Sequence, residues 1–515
     1  MNGAESLIRS LVRAGVNVCF ANPGTSEMHL VQAIDAVPEM RGVLSLFEGV
    51  CTGAADGYGR MTGMPATTLL HLGPGLGNGI ANLHNARRAS TPVINLIGNH
   101  ALYHVAFDAP LTSDIDTLAR NVSSWIKSDS TAGSLADDGM QALRAALTPT
   151  PGSAGQIATM IIPADACWNE ATAAAVAYAR PERQRVDDRI VHSVAEQIDG
   201  NSLILLNGDG LTLEARIAAA RIASKTGCRV ALVTFPARVD SGAGAPAIDR
   251  MPYFPEHVLA FLKGVTRIVL AGAEAPVSFF AYPDVPGRLV PDGCEVTTLS
   301  RIEENTTEAL QAAADHLGAA GGSYAVNPAF QGEIPAGRLT AAAAAAVIAS
   351  TLPEGAILCG DSGGGGAAFA PTQGSANNTW LNLTGGSIGQ GGPAAVGAAV
   401  ACPDRQVLAL LGDGASMYTN QAFWTQAREG LNVVTVIFNN ARYGILETEY
   451  LRLGVNAIGE RAADLFSLAR PAIDFVALAG SMGVPGRRAA TVEEFAAALA
   501  AGYADQGPSL IEAIV

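Results

Sequence analysis

The chain has 515 residues, 49% of them hydrophobic and only 15% charged, with 57 glycines and a net charge of −15 at pH 7. That length and apolar content support about three domains with large buried cores and many tight turns. The acidic balance, with no basic run or basic–aromatic patch, excludes a nucleic-acid partner, and no uncharged apolar run is long enough to span a membrane.

The chain opens on an amphipathic helix, Glu5 to Ala14, with no signal-peptide pattern. Seven scattered cysteines form no CxxC or metal spacing. An odd, scattered set reads as buried thiols in a reducing compartment, so a soluble cytoplasmic protein is expected.

From residue 1 to about 175 strand and helix alternate. Val18-Cys19-Phe20 is a short strand running into Asn22-Pro23-Gly24, and Gly42 to Phe47 is a second. Glu48 opens a helix over Gly49 to Met61. Ala66 to His71 is the third strand, and Gly73 to Asn78 a glycine-rich turn into another helix. Pro92 to Ile97 and Gln156 to Ile162 are later strands. The pattern predicts a doubly wound α/β domain with a parallel sheet, residues 1–178. Arg180 to Arg185 reads as a linker.

The alternation resumes over a central domain, residues 186–320, with strands at 203–206, Val230 to Phe235 and Ile268 to Ala271 and a helix at 213–226. Its Asn207-Gly208-Asp209-Gly210-Leu211-Thr212 lacks the third glycine of a dinucleotide fingerprint, so a connecting domain without nucleotide is expected. Gly321 to Gly337 is a polar linker. A third α/β domain, residues 338–515, starts with an alanine-rich helix, Ala341 to Ser350. It continues with Ile357-Leu358-Cys359 as a strand and Gly363 to Gly366. Phe475 to Gly483 and Leu510 to Val515 are expected to complete its sheet.

The densest chemistry lies in that third domain. Val407 to Leu411 reads as a buried strand ending in Gly412-Asp413-Gly414, Tyr418 to Glu429 as a helix, and Val433 to Phe438 as the next parallel strand, ending in Asn439-Asn440. Asp413 and Asn440 therefore stand at carboxyl ends of neighbouring strands, the edge where open α/β sheets bind ligands. The Asp413 carboxylate, the Asn440 amide oxygen and the Arg442 carbonyl leave room for diphosphate oxygens and water around an octahedral Mg²⁺. Gly412 and Gly414 allow close backbone approach, and the N–H groups after Gly414 can meet phosphate. A GDG alone is more often a strand-end turn. Gly208-Asp209-Gly210 has no downstream Asn-Asn and reads as one.

With its second half present, the stretch resembles the motif of thiamine-diphosphate-dependent enzymes, and the resemblance extends over nearly the whole chain. It is nearest to the benzoylformate decarboxylases and the acetolactate-synthase-like group. Asn439 to Gly444 looks like that family's metal loop, and Gly385-Gly386-Ser387-Ile388-Gly389 like the segment that holds the bent cofactor. Asn22 to Glu27 and Phe47-Glu48-Gly49 to Tyr58 look like the pyrimidine-binding side. The resemblance implies thiamine diphosphate and Mg²⁺ as cofactors, with Asp413, Asn440 and Arg442 on the metal. Asn22, Pro23, Gly24, Asn78, Gly363, Gly364, Gly386, Ile388, Gly412, Gly414, Ala415, Tyr418, Tyr443, Gly444 and Ile445 line the cofactor. Glu48 partners the pyrimidine nitrogen N1′, the Gly386 carbonyl accepts from the 4′-amino group, and Ile388 supports the bend.

His71 matches a catalytic histidine of the benzoylformate decarboxylases, and its ordinary pKa suits proton transfer near neutrality. Thr25 falls where those enzymes carry a serine. His100 and His104 are candidates for the pocket wall. One departure stands out: a second histidine of that pattern should fall near Ala281, within Phe279-Phe280-Ala281-Tyr282, and none is there. The expected activity is decarboxylation or carboligation of a small 2-oxo acid, as a lyase or a transferase. The assembly is expected to be a homodimer or homotetramer with sites between chains. A flavin-dependent oxidase of the same superfamily and a non-catalytic cofactor-binding partner subunit remain as alternatives.

Overall fold

The computed structural model describes residues 1–171, 178–361 and 363–515. The chain forms two compact units. The first comprises Met1–Ala146, Gln156–Ala179 and Phe330–Val515, and the second Leu147–Gly155 and Arg180–Ala329.

The first unit holds two parallel sheets. The N-terminal sheet contains β1 (Val18–Ala21), β2 (Arg41–Leu44), β3 (Ala66–His71), β4 (Val93–Asn99), β5 (Trp125–Lys127) and β6 (Ile157–Pro163). Their order is β2-β1-β3-β4-β6-β5. β3, β4 and β6 are almost wholly buried, as near-continuous apolar runs in a two-sided parallel sheet must be.

The second unit carries β7 (Ser202–Leu206), β8 (Arg229–Leu232), β9 (Arg238–Ser241), β10 (Asp249–Arg250), β11 (Arg267–Ala271) and β12 (Glu295–Ser300). Five of these form a sheet in the order β10-β8-β7-β11-β12. The expected linker Arg180 to Arg185 belongs to this unit, where Gln184 bridges Glu304. The boundary near Ala329 falls inside the expected linker of 321–337.

The C-terminal sheet of the first unit contains β13 (Ala356–Gly360), β14 (Asn378–Asn382), β15 (Val407–Gly412), β16 (Val433–Asn439), β17 (Gly486–Ala489) and β18 (Ser509–Ile514), in the order β17-β18-β16-β15-β13-β14. One expectation fails here. Phe475–Ser481 is an α-helix, capped by the Asp474 side chain on the Ala477 amide. The sheet takes Gly486–Ala489 instead.

Two helices seam the first unit. Glu48–Thr62 and Gly391–Ala401 cross with backbone against backbone. A Cβ on Gly53 would come within 2.6 Å of the Pro393 ring, and those on Gly57 and Gly397 would strike main-chain atoms of Ala394 and Ala54. Beside the crossing lies a buried ion pair. Arg60 Nε donates to Asp56 Oδ1 at 2.8 Å and Arg60 Nη2 to Oδ2 at 2.6 Å. Arg60 Nη1 reaches the Asn382 carbonyl at 2.6 Å, and Asp56 also accepts from Thr91 and from Gln390 Nε2. With every charge met by hydrogen bonds, the pair can sit in the core without the cost of an orphaned ion. One hydrophobic cluster runs from Phe20 and Leu70 in the N-terminal sheet to Leu411 and Ile437 in the C-terminal one.

Candidate active site

The N-terminal cluster gathers at the carboxyl ends of β1 and β3. Glu27 is fully buried and its two oxygens are shared out. Oε2 accepts the Gly24 amide at 2.7 Å and stands 2.8 Å from His71 Nδ1, while Oε1 accepts Ser26 Oγ at 2.6 Å. Ser26 Oγ also lies 3.1 Å from Nδ1. An ionised carboxylate only accepts, so Nδ1 carries the hydrogen and Nε2 is the free nitrogen. Glycines make this possible: a Cβ at Gly24 would enter the imidazole and one at Gly98 would enter the Glu27 carboxylate. Gly98 is the residue of β4 paired with His71 of β3.

Glu27 is the residue the sequence reading passed over. Its signal was a carboxylate three residues beyond Gly24 on the ligand edge of the sheet. Thr25 is exposed and opens a short 3-10 turn, and the hydroxyl that meets His71 belongs to Ser26.

Glu48 opens its helix as expected and is 7% exposed. Its Oε2 accepts from Asn78 Nδ2 at 3.0 Å. The expected turn over Gly73–Asn78 is instead the start of a helix, Leu72–Arg88, with His71 as its N-cap. Glycine is tolerated in that first stretch because the wall is close: a Cβ on Gly75 would lie 3.3 Å from Glu48 Oε1, and one on Gly79 would lie 2.8 Å from Thr52 Cγ2. Asn22 and Gly24 lie at the rim with partial exposure, between β1 and Thr25. Beyond β4, the His100 and His104 rings lie 5.4 Å apart at a 55° tilt, and Tyr103 and Phe107 are exposed.

The C-terminal cluster forms at the ends of β13, β15 and β16. Gly412 of β15 pairs with Phe438 of β16, which brings Asp413 and Asn440 together. Asp413 Oδ2 accepts the Asn440 amide at 3.2 Å and Oδ1 the Gly414 amide at 2.7 Å. Asn440 Oδ1 accepts the Arg442 amide at 3.1 Å, and the Arg442 carbonyl accepts from Gly444. The two asparagines divide their work: Asn439 is tied to Glu512 Oε1 and to the Ala441 amide, while Asn440 is exposed. Burial pushes the Asp413 carboxyl above its usual value, against the pull of the surrounding amides. No cationic side chain pairs with it among the described residues. A buried, amide-ringed carboxylate beside an exposed amide oxygen fits a hard divalent cation.

Tyr443 packs on Gly414, where a Cβ would collide with its ring. Ala415 is buried, and Tyr418 and Ile445 are exposed. Gly363 and Gly364 begin a short helix after β13, and a Cβ on Gly364 would press on Phe438 at 2.8 Å.

The segment Gly385–Gly389 is held from both sides. On the N-terminal side His84 meets the Gly385 carbonyl, Asn85 Nδ2 donates to the Ser387 carbonyl at 2.7 Å, and Asn82 Nδ2 bridges the Gly49 and Gly389 carbonyls. On the C-terminal side Thr419 Oγ1 donates to the Gly389 carbonyl at 2.7 Å. Gly386 has φ +76°, a conformation only glycine adopts without strain. Ile388 is half-buried and stands outside the hydrophobic core, so it is available as a ligand support. The decoy Gly208-Asp209-Gly210 is a 3-10 turn whose Asp209 Oδ2 accepts the Thr307 amide at 2.9 Å.

Comparison with known proteins falls on the same segments. Residues 1–119 match the N-terminal TPP binding domain of thiamine pyrophosphate enzymes and residues 359–513 the C-terminal TPP binding domain. A Mycobacterium tuberculosis protein provisionally named acetolactate synthase large subunit IlvX is 50% identical over 518 residues, covering 100% of this chain and 99% of its own. The benzoylformate decarboxylase of Pseudomonas aeruginosa is 27% identical over 546 residues, covering 98% of this chain and 96% of its own. Among solved structures, a thiamine diphosphate-dependent 4-hydroxybenzoylformate decarboxylase of Rhodococcus jostii superposes with a TM-score of 0.85 at 24% identity, covering 100% of this chain and 99% of that one.

Proposed function

The chain belongs to the thiamine-diphosphate-dependent enzymes of the decarboxylase and acetolactate-synthase type, and from that premise we propose that it acts on a small 2-oxo acid with Mg²⁺ as the metal. The observation that supports this best is the doubly tethered Gly385–Gly389 segment, bonded to Asn82 and Asn85 on one side and to Thr419 on the other. The segment carries Gly386 and Ile388, so these bonds fix the backbone that would meet the bent cofactor, whichever chain supplies Glu48. Bound thiamine diphosphate would supply the carbon nucleophile and the electron sink for releasing CO2 from the 2-oxo acid.

The residues take distinct tasks in this reading. Asp413, Asn440 and the Arg442 carbonyl would hold the metal, and the amides of Gly363, Gly364 and Ala415 would meet the diphosphate, while the Gly414 amide stays on Asp413 Oδ1. With the cofactor bound, Glu48 would share a proton with the pyrimidine nitrogen N1′, the Gly386 carbonyl would accept from the 4′-amino group, and Ile388 would support the ring. His71 moves a proton through Nε2, with Glu27 and Ser26 fixing its ring, and Thr25 offers a hydroxyl to the substrate carboxylate.

The product follows from what reaches the reactive centre after CO2 leaves. A proton gives an aldehyde, and a second carbonyl compound gives a 2-hydroxyketone. We also propose a cytoplasmic setting, in keeping with seven unpaired cysteines, and a dimer or tetramer with sites between chains. The three-domain division at 1–178, 186–320 and 338–515 is part of the same reading.

The test is a panel of 2-oxo acids incubated with thiamine diphosphate and Mg²⁺, with CO2, aldehyde and hydroxyketone measured. CO2 release dependent on added cofactor is expected. A yellow protein consuming O2 would favour the flavin oxidase, and cofactor binding without turnover on the whole panel would favour a partner subunit.

A further inference from the structure

One buried carboxylate lies against the turn that ends the bridging segment. Asp361 follows β13 directly and is 1% exposed. Its Oδ2 accepts the amides of Gly389 and Gly391, both at 2.9 Å. The turn has few other means of being held. A Cβ on Gly391 would lie 2.7 Å from Asp361 Cβ and 2.6 Å from Leu411 Cδ2, and Gly389 has φ +96° with the Tyr418 Cβ 2.6 Å from where its own would be. The remaining grip comes from the opposite side, where Gln390 Nε2 donates to Asp56 Oδ2 and Asn82 donates to the Gly389 carbonyl, and from Thr419 on the C-terminal side, which donates to the same carbonyl. The turn is thus pinned between a carboxylate of the C-terminal part and a carboxylate of the N-terminal part.

Stability does not explain Asp361. Its Oδ1 is buried without a hydrogen-bond partner among the described residues, and burial pushes the carboxyl up to about 7. A carboxyl raised in this way weakens the fold when it ionises. A group that costs stability yet holds two amides at a ligand segment is explained by the position it imposes.

We propose that Asp361 is a positioning residue for the cofactor: its carboxylate fixes the Gly389–Gly391 turn and so sets where the Gly386 carbonyl and the Ile388 side chain meet the pyrimidine of thiamine diphosphate. This rests on the cofactor assignment above. Asp361 itself touches the loop, and its effect passes through the loop.

The experiment measures thiamine diphosphate affinity at saturating Mg²⁺ by titration calorimetry, and the melting midpoint of the cofactor-free protein at pH 8, for wild type, Asp361→Asn and Asp361→Ala. Asp361→Asn keeps the shape and removes the charge behind both hydrogen bonds. It should weaken cofactor binding on the order of ten- to a hundredfold, the scale of lost charge-assisted bonds, with the cofactor-free midpoint unchanged or raised. Asp361→Ala should lose at least as much affinity and melt lower. Wild-type affinity in Asp361→Asn overturns the proposal. So does an Asp361→Asn midpoint as low as that of Asp361→Ala, or a failure to fold, because either makes Asp361 an ordinary part of the core. A wild-type protein that does not bind thiamine diphosphate sinks the cofactor assignment instead.

Discussion

At the scale of single residues, the site depends on how buried carboxylates are partnered. Glu27 has every oxygen engaged and orients His71, so the two should fail differently. His71→Ala should bind cofactor normally and lose turnover by roughly 10²-fold or more, the scale of one acid–base group. Glu27→Gln can present its amide nitrogen toward Nδ1, which favours the wrong tautomer. It should cut turnover while leaving cofactor affinity intact, and full turnover in either variant would return that residue to a structural role. Asp413 is short of a positive partner, and Asp413→Ala should abolish Mg²⁺-dependent cofactor retention in an equilibrium binding assay, whereas Asp209→Ala should not. Asp361 sets a pH dependence. Its carboxyl is raised from 3.8 to about 7, so between those values the folded state holds more protons than the unfolded one. Stability should therefore fall as pH rises across that window and level off above it, and Asp361→Asn should flatten that slope in denaturant titrations of the cofactor-free protein.

At the scale of elements, much of the chain was legible because a parallel sheet buried on both faces demands continuous apolar runs. Ala66–His71 and Leu213–Thr226 have the bounds the sequence suggests. The failures have local causes. Phe475–Ser481 is a short apolar run, for which strand and helix cannot be separated by periodicity, and the Asp474 cap decides it. Gly486–Ala489, with two arginines, is an edge strand, and Asn378–Asn382 is framed by asparagines, so neither shows an apolar run. The helix beginning at Leu72 was obscured by glycines whose purpose is clearance from Glu48 and Thr52. Asp413 and Asn440 were legible as candidates through spacing, and Glu48 through the family resemblance. Glu27 and Asp361 were not, because their importance comes from which amides and rings they meet across the fold. The helix seam gives a prediction of its own. Gly397→Val would drive its side chain into the Ala54 carbonyl, and should lower stability by about 3 kcal/mol or more, read as an earlier denaturant midpoint.

At the scale of the whole molecule, the open question is which copies of the two clusters work together. We expect sites shared between two chains. Glu48→Gln and Asp413→Ala homodimers should each be nearly inactive. A mixed dimer would then hold one doubly defective site and one intact site, and random reassortment should restore roughly a quarter of wild-type activity. Mixed dimers that form and stay inactive would mean that each chain closes its own site, for which the contacts of Asn82 and Asn85 with the Gly385–Gly389 segment in one chain already provide a route.

The seam between Glu48–Thr62 and Gly391–Ala401 also bears on biosynthesis. Arg60 and its acceptor Asn382 are separated by 322 positions. At ordinary ribosomal speeds of about 5–20 residues per second, the first helix emerges roughly 16–64 s before its cover is made. During that interval a glycine- and alanine-lined groove and an Asp56–Arg60 pair meant for the interior stand open to water. The nascent N-terminal sheet, whose strands are all made by Pro163, therefore has to wait for a covering helix from the other end of its own message.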